Sequence, residues 1–290
     1  MNADDQRGAD SAMIDCHTHL WKAEDWSEEM EREATIARGA PAMIEISEEE
    51  HWEAMKGVDR AIVFGFHAKH LGLVVPNERV RSYVAKHPEK LIGFACLDPH
   101  EPDYLDEMEK VFLKDGFRGL KLAPIYQNYH PMDPRMQPVY SFCEKHGIPI
   151  LIHQGTTFPR RAPLKYSLPI QIEDVALEYP KLKIVIAHMG HPWTAETVVL
   201  IRKQPNVFSD ISALYYRPWQ FYNALMLAQE YGAGHKLLFG TDYPFTTVED
   251  TVNALRNINA ITGTSGLPRI AEKLTEGIIE RDTLALLGIE

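Results

Sequence analysis

The feature that most constrains the fold is an alternation, along almost the whole chain, between short apolar runs and longer amphipathic stretches. Eight runs rich in Val, Ile, Leu and Phe occur in the 290-residue sequence, at residues 12–16, 61–66, 91–97, 117–122, 148–152, 183–187, 207–211 and 237–239. Near-continuous apolar runs are typical of parallel strands buried on both faces and joined by crossover helices. Eight such units in a chain of this length predict an α/β fold of the (β/α)8, or TIM-barrel, class.

The stretches between the runs have helical spacing. Apolar side chains three or four positions apart predict helices over residues 104–112, 139–143, 172–179 and 225–231. Residues 278–287 predict a last helix that closes the barrel. These helices supply the outer layer that buried parallel strands require.

The domain organisation follows from the remaining segments. Residues 1–11 are polar and contain no apolar core of a signal peptide, which predicts a flexible N-terminal arm. More than forty residues separate the first two runs, and the charged stretch around residues 22–56 predicts an insertion over the barrel mouth. We therefore expect residues 12–290 to form a single barrel domain.

Composition excludes several classes of function. The net charge of −11, with 30 basic and 41 acidic residues, argues against binding to a nucleic-acid backbone. No stretch approaches the roughly 20 apolar residues that cross a bilayer. Three cysteines without a CxxC pair suggest no disulfide framework, so a reducing cytoplasm is expected. Nucleotide-binding GxGxxG and GxxxxGK[ST] motifs and the GxSxG motif of serine hydrolases are absent.

Side chains that can bind a metal stand at the ends of four of these runs. His17 and His19 follow the first run two residues apart, so in a strand they face the same side and could grip one divalent cation. His153, His188 and Asp242 end the fifth, sixth and eighth runs. The C-terminal ends of all barrel strands meet on one face, where barrel enzymes place their active sites. The sequence therefore predicts that these five side chains converge.

The motifs around these residues resemble those of a known family. HTHLW, LIHQG, IVIAHMG and FGTDYPF, in this order along the chain, look like the amidohydrolase superfamily. The resemblance is closest to its branch that contains aminocarboxymuconate-semialdehyde decarboxylase. It implies that His17, His19, His153 and Asp242 are the metal ligands. It also implies that His188 is the catalytic base, or the residue that orients a water.

The donor set agrees with that resemblance. Three imidazoles and a carboxylate suit one divalent ion, zinc first, with manganese or iron as alternatives. Such an ion would activate a water at neutral pH, with His188 and Asp242 as the groups that move protons.

Further residues are candidates for substrate binding. Lys121 ends the fourth run, and we predict a positive group near the substrate. A carbamylated lysine that bridges two metals, known at this position in binuclear members of the superfamily, is an alternative, as is a lysine at the barrel rim that reaches solvent. Trp21, Arg160, Tyr215 and Arg217 follow strand ends and would suit a flat, anionic small molecule.

Three functions remain open at this stage. The first is hydrolysis of an amide, ester or lactone by metal-activated water. The second is metal-dependent, non-oxidative decarboxylation of an aromatic or unsaturated carboxylic acid. The third is a barrel that binds metal or ligand without turnover, against which the intact set of histidines and Asp242 argues. A homo-oligomer, a dimer or larger, is expected from the resemblance alone.

Overall fold

The computed structural model describes residues 12–289, so the arm predicted over residues 1–11 lies outside the described residues. Eight strands form one parallel sheet in chain order, and the two short strands β3 and β4 form a separate antiparallel hairpin. The ten strands are β1 Ile14–Thr18, β2 Arg60–Phe64, β3 Phe66–Ala68, β4 Leu73–Val75, β5 Leu91–Cys96, β6 Gly119–Leu122, β7 Ile150–Ile152, β8 Ile184–Ile186, β9 Val207–Asp210 and β10 Leu237–Leu238. Each of the eight predicted apolar runs overlaps one strand of the large sheet, although β1 continues two residues beyond its run and β2 begins one residue before its run.

The sheet closes on itself between its first and last strands. The backbone N–H of Cys16 donates to the carbonyl of Phe239 at 3.0 Å, and that of Asp242 donates to the carbonyl of His17 at 2.8 Å. Thr18 forms a parallel bridge with Tyr243. These contacts complete the (β/α)8 barrel that the sequence predicted.

The helices surround the barrel and also extend over its mouth. They are α1 Glu28–Arg38, α2 Glu48–Ala54, α3 Asn77–Val84, α4 Tyr104–Leu113, α5 Pro124–Gln127, α6 Gln137–His146, α7 Ile172–Glu178, α8 Thr194–Lys203, α9 Pro218–Glu230, α10 Val248–Arg256, α11 Glu272–Ile279 and α12 Thr283–Leu287. Within residues 12–289, no helix combines the length and the apolar character needed to cross a membrane.

The C-terminal segment differs from the single helix predicted over residues 278–287. It contains the end of α11 and all of α12, because Asp282 accepts a hydrogen bond from the N–H of Ala285 and starts a new helix. Leu284 and Leu287 of α12 belong to the same apolar cluster as Ile14 of β1, inside the barrel. The last helix therefore closes the barrel end opposite the mouth.

The segment between β1 and β2 holds α1 and α2. Ser27 caps α1 by accepting from the N–H of Met30, and Gly39, with φ of +66°, ends it. Met30 and Arg38 line a cavity above the barrel, while His51 of α2 is fully buried behind β1. The placement of α1 therefore makes this segment part of the site described next.

Candidate active site

The polar side chains at the C-terminal ends of the strands converge at the barrel mouth. His17 lies on β1 and Asp210 ends β9. His153, His188 and Asp242 follow β7, β8 and β10 within four residues. All five are buried, with 0 to 7% of their surface exposed. This is the face on which (β/α)8 barrels carry out chemistry.

Three of the predicted ligands form a tight cluster. The Nε2 atoms of His17 and His19 each lie 3.3 Å from Oδ1 of Asp242, and the ligand atoms of the three residues lie within 4.8 Å of one another. His153 lines the cavity beside them, and its buried Nε2 has no hydrogen-bond partner among the described residues. A buried imidazole nitrogen without a partner is costly unless it binds something. The donors therefore fit one divalent ion.

Burial sets the protonation of this cluster. It lowers the pKa of His17 and His19 well below the usual range and lowers that of His153 to about 3. It also raises the pKa of Asp242 to about 8, an effect that Lys121 opposes. Neutral imidazoles present the lone pairs that a metal needs, and a cation would restore the charged form of the carboxylate.

Asp210 organises the cluster, and the sequence analysis missed it. Its Oδ2 lies 2.9 Å from Nδ1 of His17, while Oδ1 accepts from the backbone N–H of His188 at 2.8 Å and from both the N–H and the hydroxyl of Ser212. An ionised carboxylate can only accept, so Nδ1 of His17 carries the proton and Nε2 keeps its lone pair. The available signal was a carboxylate within the apolar run 207–211.

His188 is held by both its backbone and its ring. Its φ of +57° lies in the left-handed region, which is uncommon for a residue other than glycine and costs about 1–3 kcal/mol. Nδ1 lies 2.7 Å from Oγ of Ser212. Because Nδ1 is engaged, Nε2 is the nitrogen that can exchange a proton with a molecule in the cavity.

Lys121 lies below the cavity rather than on its wall. Its side chain is 1% exposed, Nζ is 3.0 Å from Nε2 of His17, and the ammonium sits 4.5 Å from the centre of the Phe64 ring. Burial lowers its pKa to about 8, although the carboxyl groups of Asp210 and Asp242 oppose this. The predicted positive group is therefore next to the ligand cluster itself.

A cavity of about 520 Å³ opens above the cluster. Two arginines, Arg38 and Arg217, stand on its walls among aromatic rings, which are those of Trp21, Trp26, Phe66, Tyr126, Phe158, Tyr216 and Phe245. The guanidinium of Arg38 lies 3.8 Å from the ring centre of Phe245, and that of Arg217 lies 4.4 Å from the ring centre of Tyr216. A cavity of this size and lining suits a flat molecule that carries negative charge.

The structure brings only some of the predicted substrate-binding residues to this cavity. Trp21 and Arg217 line it, but Arg160 and Tyr215 do not. Arg160 is exposed, and its backbone N–H donates to the carboxylate of Glu33 on α1 at 2.9 Å. Tyr216, one position further along the loop after β9, takes the place expected for Tyr215.

Two other cavity residues escaped the sequence analysis. Arg38 is the last residue of α1 and does not follow a strand, so the search for side chains at strand ends missed it. Tyr126 packs edge-on against His153 with ring centres 5.0 Å apart, and its hydroxyl contacts the hydroxyl of Thr157. Tyr126 belongs to the four-residue helix α5, which is too short to give an apolar periodicity in the sequence.

Comparisons with known proteins agree with this architecture. The chain is 21% identical over 262 residues to 2-amino-3-carboxymuconate-6-semialdehyde decarboxylase of Dictyostelium discoideum, covering 79% of this chain and 71% of that protein. A probable 2-pyrone-4,6-dicarboxylic acid hydrolase from Acinetobacter baumannii, with citric acid bound, has a TM-score of 0.69 at 20% identity, covering 96% of this chain and 100% of that one.

A 5-carboxyvanillate decarboxylase from Novosphingobium aromaticivorans, complexed with manganese and 4-hydroxy-3-methoxy-5-nitrobenzoic acid, has a TM-score of 0.67 at 14% identity, covering 100% of both chains. The amidohydrolase family model matches residues 14–281. Because that match extends over nearly the whole chain, the protein belongs to the amidohydrolase family of enzymes, as its motifs predicted.

Proposed function

We propose that this protein is a metal-dependent, non-oxidative decarboxylase of an aromatic or unsaturated carboxylic acid. The observation that carries the proposal is the cavity. Aromatic rings and two arginines surround a cluster of three histidines and an aspartate. The similarity to a decarboxylase over 79% of the chain favours this reaction over the hydrolysis that the sequence analysis placed first.

The ion would be held by His17, His19, His153 and Asp242. When bound, a divalent cation supplies Lewis-acid stabilisation of negative charge that develops on the substrate. Both manganese and zinc accept imidazole and carboxylate ligands. The manganese in the Novosphingobium decarboxylase makes manganese the first ion to test here, ahead of the zinc expected from the sequence.

The chemical step is a cleavage between two carbon atoms. The bond between the carboxyl carbon and the ring or chain carbon breaks, carbon dioxide leaves, and the electron pair stays on the carbon. That carbon must then take up a proton. We assign its delivery to Nε2 of His188, whose ring lines the cavity. Because Ser212 donates its hydroxyl proton to Asp210, it accepts from Nδ1 of His188, and Nε2 would first take up a proton from an acidic group of the substrate or from solvent and then pass it to the carbon.

Arg38 and Arg217 would position the substrate. Both guanidiniums lie close enough to Asp242 for their positive charge to oppose the rise in its pKa. Both can therefore attract an anionic group of a substrate bound beside Asp242. A second acidic group on the substrate would pair with one of them, while the ring packs between aromatic walls. This arrangement favours acids with two anionic or acidic groups over simple benzoate.

The test measures two products together, the carbon dioxide released and the hydrogen isotope incorporated at the carbon that carried the carboxyl group. Protein loaded with manganese is incubated in D2O with carboxylated phenols that carry a ¹³C-labelled carboxyl group. Labelled carbon dioxide and one deuterium at the vacated carbon support decarboxylation. The same samples are offered 2-pyrone-4,6-dicarboxylate, and uptake of water with no carbon dioxide from any acid would overturn the proposal in favour of a hydrolase.

A further inference from the structure

Lys121 occupies a position that a buried lysine rarely takes. It lies on β6 between β5 and β7, with its side chain 1% exposed, and Nζ donates to Nε2 of His17 at 3.0 Å. The ammonium also faces the ring of Phe64. Lysine side chains are almost never fully buried unless they are paired. Its place beside a predicted metal ligand therefore calls for a specific explanation.

The nitrogen that Lys121 contacts is the one that a metal would need. Asp210 accepts a hydrogen bond from Nδ1–H, so Nε2 is the only atom of His17 with a free lone pair. A single lone pair cannot accept a hydrogen bond from an ammonium and bind an ion at once. Binding of an ion at His17 therefore requires Lys121 to give up this hydrogen bond.

Charge balance points to the same competition. Three buried carboxyl groups lie in or beside the cluster, those of Asp15, Asp210 and Asp242. Among the described residues, Lys121 and Lys236 are the only buried lysine or arginine side chains, and Lys236 contacts backbone carbonyls near the start of β9 instead. One lysine and one divalent ion together would balance three carboxylates, whereas a second divalent ion would exceed them.

We propose that Lys121 is a built-in cation that holds His17 when no metal is bound, sets the affinity of the site for its ion and excludes a second ion. The proposal rests on the metal site of the proposed function but not on decarboxylation. In the metal-free protein, Lys121 keeps the cluster ordered. In the loaded protein, its positive charge weakens the binding of the neighbouring cation.

The experiment measures ion binding rather than turnover. Protein stripped by a chelator is titrated with MnCl2, and free Mn²⁺ is followed by electron paramagnetic resonance for the wild type, Lys121→Met and Lys121→Gln. Thermal unfolding is recorded with and without Mn²⁺. Lys236→Met is the matched control, because it removes another buried lysine that packs on an aromatic ring, that of Phe208, outside the site.

We expect one ion per wild-type chain and a dissociation constant lowered at least about tenfold in Lys121→Met, since a competing cation is gone. The metal-free form of this variant should unfold at a lower temperature, so that Mn²⁺ raises its Tm more than it raises that of the wild type. Lys121→Gln keeps a neutral donor and should fall between the two. Lys236→Met should bind the ion with wild-type affinity.

Several results would overturn the proposal. Unchanged or weaker binding in both Lys121 variants would mean that the lysine does not compete with the ion. Two ions per wild-type chain, together with a ¹³C carbamate signal after addition of labelled bicarbonate, would make Lys121 a bridging ligand instead. If the wild type bound no Mn²⁺, the assignment of the metal site itself would be wrong. Normal ion binding without decarboxylation would leave this proposal standing while the proposed reaction failed.

Discussion

Asp210→Asn should weaken ion binding while leaving the barrel folded. In the wild type, Oδ1 of Asp210 accepts three hydrogen bonds, from the N–H of His188 and from the N–H and hydroxyl of Ser212, while Oδ2 accepts only from His17. The asparagine oxygen can take the place of Oδ1 and keep the three hydrogen bonds from His188 and Ser212. Its amide group then faces Nδ1 of His17 as a donor, so His17 must move its proton to Nε2.

The size of the effect follows from this change of tautomer. With a proton on Nε2, His17 loses the lone pair that binds the ion and also faces the ammonium of Lys121 as a second donor. Loss of a carboxylate that orients a metal-binding histidine typically costs about 10- to 100-fold in metal affinity, or about 1.4 to 2.7 kcal/mol. Since three of four bonds survive, the free energy of unfolding should fall by only about 1–3 kcal/mol.

Two measurements check this reasoning. Titration of the metal-free variant with Mn²⁺ gives the affinity, and long-range ¹H–¹⁵N NMR spectra of the imidazoles give the tautomer of His17. Ser212→Ala is the control, because it removes a hydroxyl beside Asp210 but keeps the carboxylate on His17. Wild-type affinity in Asp210→Asn, or a proton that stays on Nδ1 of His17, would refute the argument.

The other predictions separate ion binding from chemistry and from substrate binding. His17→Ala and Asp242→Ala should each lose both the ion, measured by elemental analysis, and the activity. A full complement of metal in either variant would mean that the substituted residue is not a ligand. His188→Ala should keep the ion and lose about 10²- to 10⁴-fold in kcat; an empty site would make His188 a ligand. Arg217→Met and Arg38→Met should raise KM about tenfold for a dianionic acid, as expected for a lost charge-assisted hydrogen bond, with a smaller change for benzoate, and an equal change for both acids would argue against charge recognition.

The barrel was predictable because its strands are buried on both faces. Strands of this kind give apolar runs without alternation, and each of the eight runs overlaps a strand of the closed sheet. The C-terminal segment was less predictable, because the apolar pattern over residues 278–287 continues across Asp282. A capping hydrogen bond to the N–H of Ala285, rather than a change in hydrophobicity, divides that segment into α11 and α12.

In the site, the residues at strand ends were predictable from barrel geometry, whereas those in loops were not. His17, His19, His153 and Asp242 could be placed together because strand ends converge in any parallel barrel. The contact between Asp210 and His17 joins β9 to β1 across 193 residues, and the same geometry places Asp210 in the site, because it ends β9 within the apolar run 207–211.

In the loops no periodicity fixes which way a side chain points, so an offset of one residue put Tyr216 rather than Tyr215 in the cavity. Arg38 reaches the cavity from α1, which lies in the segment between β1 and β2. Because α1 and the loop after β9 supply both arginines, exchange of these segments between family members should change which acid is accepted while the ion and its ligands stay the same.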